Sequence, residues 1–196
     1  MRPEEGVLTS RSRAIGAVLE LLGDELVVVC NGFPSREVYA IRDRPENFYM
    51  IGSMSVAPAI GLGVALAQPR RKVLIFDGDG NVLMGLGTLA TIGALKPKNL
   101  VHIVFDNEVY GSTGNQPTIS QVIPLDQVAK AAGYRNVERV RELEDLIYEI
   151  GVMLKEEGPS FLLVKVSELA DDVGRVDIEP PAITERFRKA AMGGIS

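Results

Sequence analysis

One cysteine and one histidine are all that this 196-residue chain has of either residue. A lone Cys30 closes no internal disulfide, and it excludes a cysteine-built zinc site or an iron–sulfur cluster within this chain alone. No apolar run reaches the roughly 20 residues that a membrane helix needs, and the longest are broken by Gly and Pro. The opening MRPEEGVLTSRSR is charged with no apolar core behind it, which is not how a secretory signal reads. Basic residues are in the minority, 21 Lys and Arg against 26 Asp and Glu, so no nucleic-acid partner is expected. The expectation that remains is a soluble, cytoplasmic chain of one-domain size. Its 46% hydrophobic and 24% charged residues are the proportions of a folded globular protein.

What is present is a set of short apolar runs: Leu26–Cys30, Phe48–Ile51, Val73–Phe76, Leu100–Phe105 and Phe161–Val166. They are rich in Val, Ile and Leu and mostly continuous, as strands covered on both faces are. Helical spacing separates them. Ile15, Val18, Leu19 and Leu22 follow it before Gly23; Leu125, Val128, Ala129 and Ala132 before Gly133; and Leu143, Leu146, Ile147 and Ile150 repeat it. Val56–Ala67 is apolar all round and reads as a buried helix, closely approached by its neighbours across a subunit boundary. The alternation predicts an α/β fold: an open, mostly parallel sheet with helices on both faces. Residues 1–170 form the expected domain. Residues 171–196, with Pro180–Pro181 and a helical stretch around Ile183–Ala191, form a C-terminal arm of it.

In such sheets ligands bind at the carboxyl ends of the strands. Four loops expected there are unusual: Asn31-Gly32-Phe33-Pro34-Ser35-Arg36, Gly52-Ser53-Met54, Asp77-Gly78-Asp79-Gly80-Asn81, and Asp106-Asn107-Glu108-Val109-Tyr110-Gly111. In the third, two glycines flank a carboxylate, and a helix expected from Asn81 onward would favour an anion. A carboxylate beside an anion site makes sense if a cation bridges them. Hard divalent cations take carboxylate, amide and backbone carbonyl oxygens, which Asp79, Asn107 and Val109 can supply. The residues alone therefore predict a divalent cation clamping a phosphate or diphosphate.

The GDG triplet, followed by 26 residues and then Asn107, resembles the diphosphate-binding signature of thiamine-diphosphate enzymes, with Asp106-Asn107 where two asparagines are usual. Gly52-Ser53-Met54 resembles a second element of that family. The resemblance implies that the Gly52 carbonyl receives the cofactor's 4′-amino group and that Met54 props the cofactor into a bent shape. It implies that Asp79, Asn107 and the Val109 carbonyl hold Mg²⁺, and that the Gly80 and Asn81 amides touch the diphosphate. Asn31, Gly32, Ser53, Gly78, Tyr110 and Gly111 complete the expected cofactor surround. The phrases CNGFPSREVY, RDRPENFYMIGSM, LATIGALKPKNL and DNEVYGSTGNQPT narrow the likeness to the β subunits of sulfopyruvate decarboxylase and the C-terminal half of phosphonopyruvate decarboxylase, over about residues 12–170. One departure is Ser55-Val56, where relatives often carry Gly and a bulky apolar residue; only local packing is expected to change.

That likeness implies nonoxidative decarboxylation of a small anionic 2-oxoacid, 3-sulfopyruvate to sulfoacetaldehyde and CO₂ on the route to coenzyme M. The glutamate that contacts N1′ of the aminopyrimidine belongs in this family to a pyrimidine-binding domain, so a partner α subunit is expected to bring it, in a hetero-oligomer that also self-associates. Alternatives are a phosphonopyruvate decarboxylase-like subunit and the β subunit of a 2-oxoacid:ferredoxin oxidoreductase, against which the single cysteine argues. A noncatalytic phosphate- or dinucleotide-binding module is the reading from another class; its fingerprint would place G-x-G-x-x-G directly after the first strand. Lesser signals have bland defaults. Gly111–Thr118 reads as a lid in preference to a plain solvated loop. Arg36, Arg42 and Arg44 are surface charge by default and a grip for an anionic substrate otherwise. His102, inside an apolar strand, reads as structural.

Overall fold

The apolar runs become the strands of one parallel sheet in the computed structural model, which describes residues 9–168 and 171–193. The strands are β1 (Leu26–Val29), β2 (Asn47–Tyr49), β3 (Val73–Gly78), β4 (Leu100–Asp106), β7 (Asn136–Val140) and β8 (Ser160–Lys165), in spatial order β2-β1-β3-β4-β8-β7. Every pairing in this sheet is parallel. A two-stranded antiparallel hairpin, β5 (Val109–Tyr110) and β6 (Gln116–Pro117), stands apart from it.

Alternation along the strands splits the core in two. Val27 and Val29 face a cluster with Ile15, Val18 and Leu19 of α1 (Arg11–Glu20) and Leu146 and Ile150 of α7 (Leu143–Met153). Leu26 and Val28 face the other cluster, with Leu62 and Ala65 of α3 (Ala57–Ala67), Leu89 and Ile92 of α5 (Leu86–Leu95) and Leu125 and Ala129 of α6 (Leu125–Ala132). Helix α8 (Pro180–Met192) closes the β2 edge, with Phe187 edge-on to Phe48 at 5.5 Å between ring centroids. Among the described residues no helix is long and apolar enough to cross a membrane.

Three details depart from the sequence reading. Residues 33–41, expected to begin as a loop, form α2 (Phe33–Ile41), with Pro34 in its first turn, where a missing N–H costs nothing. Helix α4 (Asp79–Met84) begins two residues before Asn81, so Asp79 lies in its first turn rather than ahead of it. Helix α3 is not buried all round. Ala57, Pro58, Gly61, Leu62 and Ala65 pack inward, while Val56 and Leu66 are 38% and 53% exposed. Met84 and Leu95, on the neighbouring α4 and α5, are exposed as well.

Candidate functional site

The chain runs from β1 outward to β2 and then returns to β3 on the other side of β1. That reversal opens a crevice at the carboxyl ends of β1 and β3, where open α/β sheets bind ligands. A cavity occupies it. Of the predicted residues, Asn31, Gly32, Met54, Gly78, Asp79, Gly80, Asn81, Asn107, Val109, Tyr110 and Gly111 line this cavity. Gly52 and Ser53 do not; they are exposed on the adjoining loop.

Asp79 is its chemical centre. Its Oδ2 accepts hydrogen bonds from the Thr118 hydroxyl at 2.5 Å and the Ser120 hydroxyl at 3.1 Å. The Asn107 side-chain amide lies 3.3 Å from Asp79 Oδ1 and 2.9 Å from the Val109 carbonyl oxygen, where its nitrogen can donate to both. A carboxylate, a side-chain amide and a backbone carbonyl therefore meet within hydrogen-bond distance, and rotating the amide presents a third oxygen. That donor set fits a hard divalent cation. Burial pushes the Asp79 carboxyl up to about 6, reinforced by the nearby Asp106 charge and opposed by the Thr118 and Ser120 hydroxyls.

Close approach and backbone conformation explain the glycines here. A Cβ on Gly80 would sit 2.5 Å from Cε1 of Tyr110, so the tyrosine ring can lie on α4 only if that position is bare. Gly32 has φ +88° with nothing within 4 Å of a built Cβ, leaving the backbone open toward the cavity. Asn31 Oδ1 is buried without a hydrogen-bond partner among the described residues, an acceptor waiting for a polar ligand. Asn81 Oδ1 instead accepts from the Ser55 amide at 3.0 Å, tying the Gly52–Ser55 loop to α4. Ser55 has φ +74°, a conformation suited to glycine. The departure at this position thus reaches the backbone and is more than a packing change.

Sequence reasoning missed several neighbours. Arg11 lines the cavity and makes a bidentate, buried pair with Glu37 at 2.8 and 2.9 Å; nothing in the local pattern shows that α1 reaches α2. Thr118 was legible only as part of the polar Gly111–Thr118 loop, and Ser120 carried no signal of its own. Lys165, buried at the end of β8, donates to Asp106 at 2.8 Å and also reaches Glu108, while the Ser120 hydroxyl joins Asp106 at 2.9 Å. Arg42 and Arg44 do not join the site. Arg42 donates to the Leu19 and Leu22 carbonyls, and Arg44 to those of Gly23 and Glu25, at the opposite edge of the sheet. His102 is structural: Nε2 lies 3.2 Å from Asp77 Oδ2 and Nδ1 3.1 Å from the Tyr134 hydroxyl. Gly111–Thr118 carries the tip of the β5–β6 hairpin, held at one end by the Thr118–Asp79 bond.

Residues 28–164 match the family described as thiamine pyrophosphate enzyme, C-terminal TPP binding domain. The chain belongs to the thiamine pyrophosphate enzymes. Within them it is a homologue of the sulfopyruvate decarboxylase β subunits. It is 44% identical over 187 residues to "Sulfopyruvate decarboxylase subunit beta" of Methanothermobacter thermautotrophicus, covering 95% of this chain and 98% of that one. It is 46% identical over 171 residues to phosphonopyruvate decarboxylase of Streptomyces viridochromogenes, covering 86% of this chain but 43% of the relative. The fold is that of this enzyme class in solved structures too: benzoylformate decarboxylase from Polynucleobacter necessarius matches 82% of this chain and 34% of its own, with a TM-score of 0.64 at 21% identity.

Proposed function

We propose that the chain is the diphosphate- and Mg²⁺-binding subunit of a thiamine-diphosphate-dependent 2-oxoacid decarboxylase. Its substrate in this reading is 3-sulfopyruvate, converted to sulfoacetaldehyde and CO₂ in coenzyme M biosynthesis. The observation that carries it is the meeting of Asp79, the Asn107 amide and the Val109 carbonyl, in a chain that aligns with nearly the whole of a sulfopyruvate decarboxylase β subunit. Asp79, Asn107 and Val109 would hold the metal; the first-turn amides of α4 and the bare backbone at Gly32 would meet the diphosphate. Met54, on the cavity wall, would set the cofactor's shape. Bound there, thiamine diphosphate supplies the electron sink for decarboxylation. The residues described here would hold its diphosphate end and the metal in place.

The proposal assigns the N1′ glutamate to a pyrimidine-binding α subunit. Exposed apolar side chains are where such a partner would seat, and Val56, Leu66, Met84 and Leu95 on or next to α3, α4 and α5 are candidates. The phosphonopyruvate reading is the less favoured one, because that relative carries the matching region as less than half of a longer chain. Reconstitution tests the proposal. Purified chain, free of partner by mass spectrometry, should not sustain decarboxylation, and adding the α subunit with Mg²⁺ and thiamine diphosphate should start sulfopyruvate turnover. A reconstituted complex that prefers pyruvate would overturn the substrate, and sustained turnover by the chain alone would overturn the shared site.

A further inference from the structure

A second cavity, of about 570 Å³, opens beside the one that Asp79 lines, and Asn31, Gly32 and Ser112 belong to both walls. Its size is that of a small-molecule site, for which roughly 300–1,000 Å³ is usual. Arg36 of α2 lines it. The Arg36 guanidinium carbon lies 5.3 Å from the centroid of the Phe33 ring, and Phe33 lines the first cavity. A guanidinium held over a ring at this distance is attracted to its face while its N–H donors stay unused. Among the described residues Arg36 enters no ion pair and no side-chain hydrogen bond. Arg11, by contrast, is committed to Glu37, and Arg42 and Arg44 to backbone carbonyls.

The segment 175–179 that leads into α8 also lines the second cavity. Val176 and Ile178 pack against the core and anchor it, and Arg175 adds a second cation to the lining. Asp177 and Glu179 also line the cavity, exposed on this segment, and neither pairs with either arginine among the described residues. The half-buried Arg36, held over the Phe33 ring, is therefore better placed as an anion partner than the exposed Arg175. A substrate with an anion at each end needs space adjoining the cofactor cavity and a fork of donors at its far end. A guanidinium meets a tetrahedral oxyanion with two parallel hydrogen bonds.

We infer that Arg36, assisted by Arg175, is the specificity-determining residue for the second anionic group, a sulfonate or phosphonate, of the 2-oxoacid substrate. This rests on the proposed decarboxylase function and adds to it the residues that select the acid. The test uses the reconstituted complex with Arg36→Met, Arg36→Lys and Arg175→Met, assayed on 3-sulfopyruvate, 3-phosphonopyruvate and pyruvate. Binding of 3-sulfopropanoate to the full chain is measured in parallel by calorimetry. Losing charged hydrogen bonds should raise KM for the preferred dianionic acid about 10- to 100-fold in Arg36→Met, with a smaller change in kcat. The preference over pyruvate should fall by a similar factor, Arg36→Lys should recover part of it, and Arg175→Met should lose less. Whichever dianionic acid has the higher kcat/KM identifies the group, sulfonate or phosphonate. An unchanged preference, or an equal loss on all three acids with a lowered melting temperature, overturns the inference. If the wild-type complex decarboxylates none of the three, the proposed function fails separately, and calorimetry decides the anion site: binding of 3-sulfopropanoate that Arg36→Met abolishes sustains it, and absence of binding removes it.

Discussion

The two edges of the sheet are built from similar polar residues put to opposite uses. At the amino-terminal edge, Arg44 closes the Gly23 and Glu25 carbonyls at 2.8 and 2.7 Å and reaches Asn47. The Asn99 amide nitrogen there lies within 3.1 Å of the carbonyls of Ala65, Gln68 and Arg71. At the carboxyl-terminal edge, Asn31 Oδ1 is left without a partner, Arg36 stacks without pairing, and a buried carboxyl is held near 6 instead of in its usual range. One edge commits its polar groups to its own backbone; at the other, Asn31 Oδ1 and Arg36 keep theirs unpaired among the described residues. The same residue types thus contribute stability at one end and binding capacity at the other.

The sharpest way to break that contrast is Asp79→Ala. In the reconstituted complex it should cost metal-dependent thiamine diphosphate affinity at least about 100-fold, equivalent to roughly 3 kcal/mol, while circular dichroism shows the fold unchanged. Retained affinity would mean that the carboxyl-terminal edge is as structural as the other. Arg44→Met should do the reverse: about 2–3 kcal/mol of stability lost in denaturant unfolding, because two carbonyls and Asn47 lose their donor, with cofactor affinity unmoved. Asp79→Asn tests the cost of holding a carboxyl ready. A folded-state value near 6 against 3.8 unfolded gives stability that is present below the unfolded value and lost as pH rises through 6. The metal-free asparagine variant should therefore be more stable at pH 7.5, on the order of 2 kcal/mol, with the advantage gone at pH 4. Met54→Ala should lower turnover about 10-fold while changing cofactor affinity less, since its role is shape; Met54→Leu should be mild. The smallest effect belongs to Ser55→Gly, which relieves a left-handed φ and should raise stability by about 0.5–1 kcal/mol.

Legibility followed the same division. The apolar runs of β1, β3, β4 and β8 announced a buried parallel sheet because each is continuous, and the glycines around Asp79 marked a backbone that something approaches. Strand β7, Asn-Val-Glu-Arg-Val, carries no such run, because it lies at the sheet edge with Glu138 and Arg139 exposed. Helix α2 was obscured by Asn31-Gly32 and Pro34, which read as turn residues although the proline opens the helix. The site's supports, Thr118, Ser120 and Lys165, come from segments 39 or more residues beyond Asp79, and only the fold brings them in. Arg42 and Arg44, read by default as surface charge, instead brace backbone carbonyls; adjacency to Arg36 in sequence says nothing about which edge of the sheet each one faces.

The contact between Tyr110 and Gly80 also has a spectroscopic consequence. The chain has no tryptophan and five tyrosines, so its ultraviolet emission is tyrosine emission, unmasked by a stronger indole. Among the described residues Tyr49 and Tyr134 are buried in the core clusters, whereas Tyr110 lies across the bare face of α4 on the wall of the Asp79 cavity. In the proposed binding mode a diphosphate and its metal would change the surroundings of that phenol. The isolated chain therefore carries its own optical reporter at the place where binding has to be measured, and Tyr110→Phe is the control that silences it.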